Sequence, residues 1–257
     1  MKLDCVLRAV NENKLYIDFV PYFIKMWNKL YPNVDVKIVL IAKYIPENLK
    51  EYEKNIILFE PIDEISTAFI SQYIRLLYPA LLTEYKGGIM ITDIDNVPLS
   101  NTYFTNNIKY IDTDKWINYR NWKTENQISM AWQITTYKNW SEVFKIKTIN
   151  DVKKKLIERN KTIKYNGISG KSGWFTDQID LYKYVMDWNN QTGKYIFLND
   201  EETKFNRLDR KKIKNNIRLS DKLIRELRNK KYTDYHCARP FDKYEKINND
   251  IYNITIK

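Results

Sequence analysis

A chain of 257 residues that is 44% hydrophobic and 29% charged has the composition of a folded globular protein with a sizeable core, not of a disordered tail. No apolar stretch approaches the roughly 20 residues of a membrane-spanning helix. Two cysteines, Cys5 and Cys237, are too few for a zinc cluster and are expected as free thiols. The net charge of +11 suits nucleic acid, an anionic surface or a phosphorylated small ligand alike, because a positive field concentrates any of them.

The opening Met1-Lys2-Leu3-Asp4-Cys5-Val6-Leu7-Arg8 puts acid and base where a signal peptide would be apolar. Asp4 to Val10 is therefore expected as a first strand, and the protein as cytoplasmic. Tyr16 to Leu30 has apolar residues at helical spacing (Phe19, Val20, Phe23, Ile24, Trp27), with a turn at Tyr31-Pro32. Val34 to Ala42 predicts a second strand and Asn55 to Phe59 a third. Ser66 is placed to cap a helix carrying Phe69, Ile70, Tyr73, Ile74 and Leu77, which Pro79 ends or kinks. Gly87-Gly88 then breaks the chain before a fourth strand, Ile89-Met90-Ile91-Thr92-Asp93-Ile94-Asp95.

This alternation predicts an α/β fold, a mostly parallel sheet with helices on both faces, in which ligands bind beyond the carboxyl ends of the strands. If Asp93 and Asp95 both lie in the strand, they project to one side while Ile94 enters the core. Two carboxylates there suit a hard divalent cation that completes its shell with water and phosphate. His236, the chain's one histidine, would shift the preference from Mg2+ towards Mn2+, since nitrogen favours transition metals.

Beyond Pro98 the pattern is less regular: aromatic stretches from Tyr110 to Trp140, a glycine-rich loop, a helical segment from Gln178 to Trp188 and a basic run from Lys204 to Lys231. No linker divides the chain, so residues 1–257 are expected as one domain, with a nucleotide-binding part over 1–100 and a more variable part over 101–257. Five of the six glycines fall in two clusters, Gly87-Gly88 and Gly167, Gly170, Gly173, as two loops beside one cleft would require, or as two ordinary turns. Gly170-Lys171-Ser172 resembles the end of a phosphate-binding loop, but Tyr165 stands where that motif needs glycine. Arg75 could hold a phosphate or pair with a site acid, or be a plain surface arginine. Asp177, before Gln178, reads by spacing alone as a helix cap. The basic run is either a solvated helical face or an anion-binding surface. Trp122, Trp132, Trp140 and Trp174 are candidate sugar platforms or core residues, with Trp174 favoured by its place beside the glycines and Asp177.

Taken in order, these segments resemble a GT-A glycosyltransferase, most similar to glycosyltransferase family 8 and related Asp-x-Asp sugar transferases. Tyr73-Ile74-Arg75-Leu76-Leu77-Tyr78-Pro79-Ala80-Leu81-Leu82 resembles the family's Tyr-x-Arg-x-x-x-Pro-x-Leu-Leu helix, and Gly87 to Asp95 its following strand. Asp177-Gln178 resembles the Asp-Gln pair of the sugar pocket. His236-Cys237-Ala238-Arg239-Pro240-Phe241 resembles the late His-to-Lys-Pro-Trp segment. Ala9-Val10-Asn11-Glu12-Asn13, with Tyr16, is similar to the loop that holds the nucleoside. Residues from about 100 to 165 match nothing in the pattern, Arg239 replaces the usual lysine, and Phe241 replaces the usual tryptophan.

The resemblance implies a Rossmann-like fold and a transfer, with retention of anomeric configuration, from a nucleoside diphosphate sugar such as a UDP-sugar to a glycan or other hydroxyl acceptor. It implies metal ligation (Mn2+ or Mg2+) by Asp93, Asp95 and His236. Donor contacts would come from Ala9, Val10, Asn11, Tyr16, Arg75, Asp93 and Arg239, and catalytic contacts from Asp177, Gln178 and Arg75. The alternative is a basic nucleic-acid- or glycan-binding module without catalysis. A nucleic-acid partner explains the charge but leaves the Asp-x-Asp incidental. Lys204 to Lys231 could also touch an anionic surface peripherally.

Overall fold

The computed structural model describes residues 1–120, 126–213 and 218–257, with the backbone of 123 and 124. Trp122 and residues 214–217 of the basic run lie outside the described residues. Among the described residues the strands are β1 (Leu3–Asn11), β2 (Asp35–Ile41), β3 (Ile56–Phe59), β4 (Gly88–Ile91), β5 (Asn96–Pro98), β6 (Trp116–Asn118), β7 (Lys123–Thr124), β8 (Gln127–Ile128), β9 (Gln133–Thr135), β10 (Tyr195–Phe197), β11 (Arg207–Asp209) and β12 (Asp234–His236).

Seven form the main sheet in the order β10-β6-β9-β4-β1-β2-β3, parallel except where β9 runs antiparallel between β4 and β6. Helices lie on both faces, so the sheet is buried from both sides and its central strands read as nearly continuous apolar runs. The alternation of side chains divides the core. Val6, Val10, Ile38, Leu40 and Met90 face the helices Val20–Leu30 and Phe241–Thr255. Cys5, Leu7, Val39, Ile41, Ile89 and Ile91 face Thr67–Tyr73, Tyr137–Phe144 and Thr176–Thr192. Both cysteines are buried and free. Among the described residues no helix is long and apolar enough to cross a membrane.

The first three predicted strands are found within one position at each end. Three expectations are corrected. The helix expected over Tyr16 to Leu30 is two, Lys14–Ile17 and Val20–Leu30, with Pro21 in the first turn of the second, where its missing N–H costs nothing. The helix from Ser66 ends at Tyr73 and tightens into two short 3-10 turns, the second begun by Tyr78-Pro79; Ser66 precedes it without a side-chain cap bond. The Asp-x-Asp is not in a strand, because β4 stops at Ile91 and Asp93 to Asp95 form the turn into β5. Ile94 does enter the core.

That turn links the main sheet to a second one, β11-β12-β5, in which β12 lies antiparallel to β5 and parallel to β11. The register places His236 opposite Asn96, and the Cys237 N–H donates to the Asp95 carbonyl at 2.7 Å. Ahead of β4, a Cβ on Gly87 would collide with the Lys2 carbonyl and the Asp4 carboxylate. Glycine is what lets β4 enter beside β1.

Candidate active site

Beyond the carboxyl ends of β1 and β4 lies a cavity of about 370 Å³, within the range of about 300–1,000 Å³ typical of small-ligand sites. Ala9, Val10, Asn11, Tyr16, Arg75, Asp93, Asp95, Gln178, His236 and Arg239 all line it, as does Trp174. The sequence-predicted residues therefore meet, although they come from segments spread between residues 9 and 239. Asp177 stands behind this wall, 2% exposed. Its role as a helix cap is corrected: Phe175 holds the N-cap position and Asp177 sits in the first turn, where its Oδ1 accepts from the Gln178 N–H at 2.8 Å.

Arg75 is 3% exposed, not a surface residue. Its Nη1 meets Asp93 Oδ1 and its Nη2 meets Asp177 Oδ2, each at 2.5 Å. Its remaining N–H groups donate to the Gln72 and Thr92 carbonyls at 3.0 and 3.3 Å. Burial pushes the Asp93 carboxyl up, but Arg75 and Arg8 outweigh it and hold Asp93 well below the usual carboxylate range. Asp177 is raised, because burial exceeds what Arg75 returns. Beside it Gln178 lines the cavity, and its Oε1 is buried with no hydrogen-bond partner among the described residues, an acceptor left to be satisfied.

Asp95, 4% exposed, forms a second cluster. Its Oδ2 is 2.9 Å from Arg210 Nη2, 3.4 Å from Arg239 Nη1 and 3.8 Å from His236 Nε2. Arg239 also donates to the Tyr16 hydroxyl at 3.2 Å and lies over its ring. On the far side of the imidazole, His236 Nδ1 is 3.2 Å from Asp209 Oδ2, and Arg210 Nε lies 3.4 Å from the same nitrogen. With the proton on Nδ1 and turned to Asp209, the Nε2 lone pair faces Asp95; with Nδ1 accepting from Arg210 Nε, Nε2 carries the proton instead.

Two of the three expected ligands, Asp95 and His236, are thus brought together, and their donor chemistry would fit Mn2+ or Mg2+ taking its other ligands from phosphate and water. The third expected ligand stands apart, since Asp93 is engaged by Arg75. Among the described residues no group of three His, Cys, Asp or Glu side chains is arranged to hold a metal. A cation at Asp95 competes with Arg210 and Arg239 for Oδ2.

Burial depresses the His236 imidazole below its ordinary value, and Arg210 and Arg207 reinforce this while Asp95 and Asp209 oppose it. As the chain has one histidine, a single Cε1–H resonance should titrate with a midpoint below 6.5, the ordinary value. A midpoint at or above it would contradict the environment described. A depressed folded-state value means that the unfolded chain binds the proton first, so this group's contribution to stability is lost as pH falls through about 6.5 and below.

Arg8, Asp209 and Arg210 are site residues that the sequence did not single out. Arg8 carried a visible signal as the one charged residue in Cys5 to Val10. Arg210 was hidden in the basic run, which the fold splits. Arg207 turns inward onto Asp234 and Arg210 onto Asp95, whereas Lys211, Lys222, Arg225, Arg228 and Lys230 stay on the surface. Trp132 and Trp140 are fully buried core residues, not platforms.

No protein-family profile and no curated protein matches the chain. Solved structures do. The galactosyltransferase LgtC in complex with donor and acceptor sugar analogs aligns over 98% of this chain and 95% of its own, at 13% identity and a TM-score of 0.48. The apo form of the glycosyltransferase GlyE from Streptococcus pneumoniae TIGR4 aligns over 100% of this chain at 11% identity, TM-score 0.49, and a second GlyE structure over 80% at 16% identity, TM-score 0.46. This chain spans 61% and 47% of those two GlyE chains. Likeness at this level concerns the path of the chain alone.

Proposed function

We propose that the protein is a glycosyltransferase of the GT-A kind, moving a sugar from a nucleoside diphosphate sugar, a UDP-sugar above all, to a hydroxyl of a glycan or similar acceptor. The observation that carries this reading is the convergence of the motif residues on one cavity of about 370 Å³. Within it, the nucleoside sits over Ala9 to Asn11 and Tyr16, and the acceptor meets residues of the second half of the chain. Trp174 offers an apolar face to a sugar ring.

The difficult event in such a transfer is departure of the diphosphate, which gathers negative charge on its leaving oxygen. Arg239 and Arg210, at the Asp95 end of the cavity, place positive charge there before reaction begins. Gln178 presents its unpaired Oε1 to a sugar hydroxyl, and Asp177 fixes Arg75, which positions Asp93. A divalent cation held by Asp95 and His236, with Asp93 nearby, would supply Lewis-acid stabilisation of the leaving group. Retention of configuration is part of the proposal through the motif resemblance.

Thermal unfolding with UDP, with and without Mn2+, tests this in wild type and in Asp95→Ala. Ligand at about a hundredfold over its dissociation constant adds roughly 2.7 kcal/mol, on the order of 5–10 °C for a domain of this size. A shift that needs both Mn2+ and Asp95 is expected, and should be followed by sugar transfer or donor hydrolysis in a UDP-sugar screen. No shift with any nucleoside diphosphate would sink the donor assignment. Salt-dependent DNA or RNA binding that survives Asp95→Ala would point to the binding-module alternative instead.

A further inference from the structure

Arg8 lies in β1, the strand between β4 and β2 in the main sheet. Its side chain is 8% exposed, yet it lines the cavity. Among the described residues neither Nε nor Nη1 has a hydrogen-bond partner. Nη2 is 3.9 Å from Asp93 Oδ1, the limit of an ion pair, and that oxygen is already held by Arg75 at 2.5 Å. Arg75, by contrast, has two carboxylates, and Arg159 takes both oxygens of Asp180.

A buried cation with unused donors is costly unless a partner arrives. Its backbone is held in β1, where Arg8 pairs with Ile38 of β2. Burial and the nearby Arg75 lower the Arg8 guanidinium to about 10, so it stays charged at neutral pH. Nη2, which reaches Asp93 only at 3.9 Å, makes a fork with Nε on one edge and with Nη1 on the other, each suited to two oxygens of one oxyanion.

We infer that Arg8 is an oxyanion-binding residue of the cavity, its free N–H groups taking a phosphate or carboxylate of the bound ligand. Where that group comes from rests on the function proposed above. In a nucleoside diphosphate sugar it is either the diphosphate or, if the transferred sugar is a uronic acid, the sugar's carboxylate.

Calorimetric titration of wild type, Arg8→Met and Arg8→Lys with UDP, UDP-glucose, UDP-glucuronate and inorganic pyrophosphate separates the cases. If the diphosphate is the partner, Arg8→Met should weaken UDP and pyrophosphate roughly tenfold to a hundredfold. If the carboxylate is the partner, UDP binds as before, and a wild-type preference for UDP-glucuronate over UDP-glucose disappears. Arg8→Lys should recover part of the lost affinity in either case, which a merely structural role would not produce. Should Arg8→Met not fold, Arg8→Lys is compared directly with wild type, where loss of the fork should still weaken the same probe severalfold.

Wild-type affinity for all four probes in the variants, with only a lower melting temperature, would overturn the inference. If wild type binds no nucleotide, the donor reading fails separately and pyrophosphate alone decides. Binding that depends on Arg8 upholds the oxyanion site; unaltered or absent binding removes it.

Discussion

Replacing Arg75 by methionine should destabilise the fold by about 3–5 kcal/mol at neutral pH, the cost of breaking a buried ion pair from one side. The substitution keeps much of the aliphatic stem and removes the guanidinium from Asp93 and Asp177 together. Asp93, with 36% of its side chain exposed, recovers water. Asp177, at 2%, cannot.

The pH dependence identifies the cause. In the wild type the Asp177 carboxyl is already raised by burial, with Arg75 offsetting part of the effect. Without Arg75 it rises further, so its ionised form is penalised in the folded state alone. The deficit relative to wild type should then be greatest above that raised value and shrink as pH falls towards the unfolded-state value near 3.9. Urea unfolding of both proteins from pH 7 down to pH 5 measures this. A deficit that is constant or grows towards acid would show that Asp177 is not the group left stranded. The same variant should lose any transferase activity, because Asp93 and Gln178 are positioned through this cluster.

Trp132→Ala is expected to cost about 3–5 kcal/mol through the cavity it leaves. Trp132 is fully buried, with its ring centroid 4.5 Å from that of Phe104 and 6.0 Å from that of Trp27. Its indole N–H also donates to Asp234 Oδ2 at 3.2 Å, and Asp234 begins the strand that ends at His236. Trp132→Phe should cost less, keeping most of the ring volume and losing one hydrogen bond of roughly 1 kcal/mol. The midpoint of urea unfolding separates the two variants. The His236 resonance shows whether the damage reaches the site: it should broaden or shift in the alanine variant. An unchanged resonance would mean that Asp234 holds β12 without the indole.

The parallel first half was legible because each element carries its own period and punctuation. Val34 to Ala42 is too apolar to be anything but buried, and Gly87-Gly88 marks where β4 begins. The Asp-x-Asp was visible as chemistry but misplaced as structure. Alternation alone does not reveal that β4 stops at Ile91, since the strand ends where its neighbour Leu7 ceases to pair with it. Arg75 could not be read as buried from its helix, because Asp177, which makes burial tolerable, is distant in sequence. Arg210 had the same difficulty, since Lys211, Lys222, Arg225, Arg228 and Lys230 in the same run do face water. The Trp132 and Trp140 side chains show the limit of composition: an aromatic-rich segment looks the same whether its rings meet ligand or core. What the sequence lacked throughout was pairing at long range.

That long-range pairing gives the site an order in time. The Asp95 turn leaves the ribosome well before β12, and at about 5–20 residues per second the residues up to His236 follow on the order of ten seconds later. Until they arrive, Asp95 lacks Arg210, Arg239 and the imidazole, and the cavity has no wall on that side. A nascent chain that stops short of β12 therefore has an incomplete cavity. On the function proposed above, ligand retention would become a marker of completed tail docking, since it needs contacts between residues far apart in the chain.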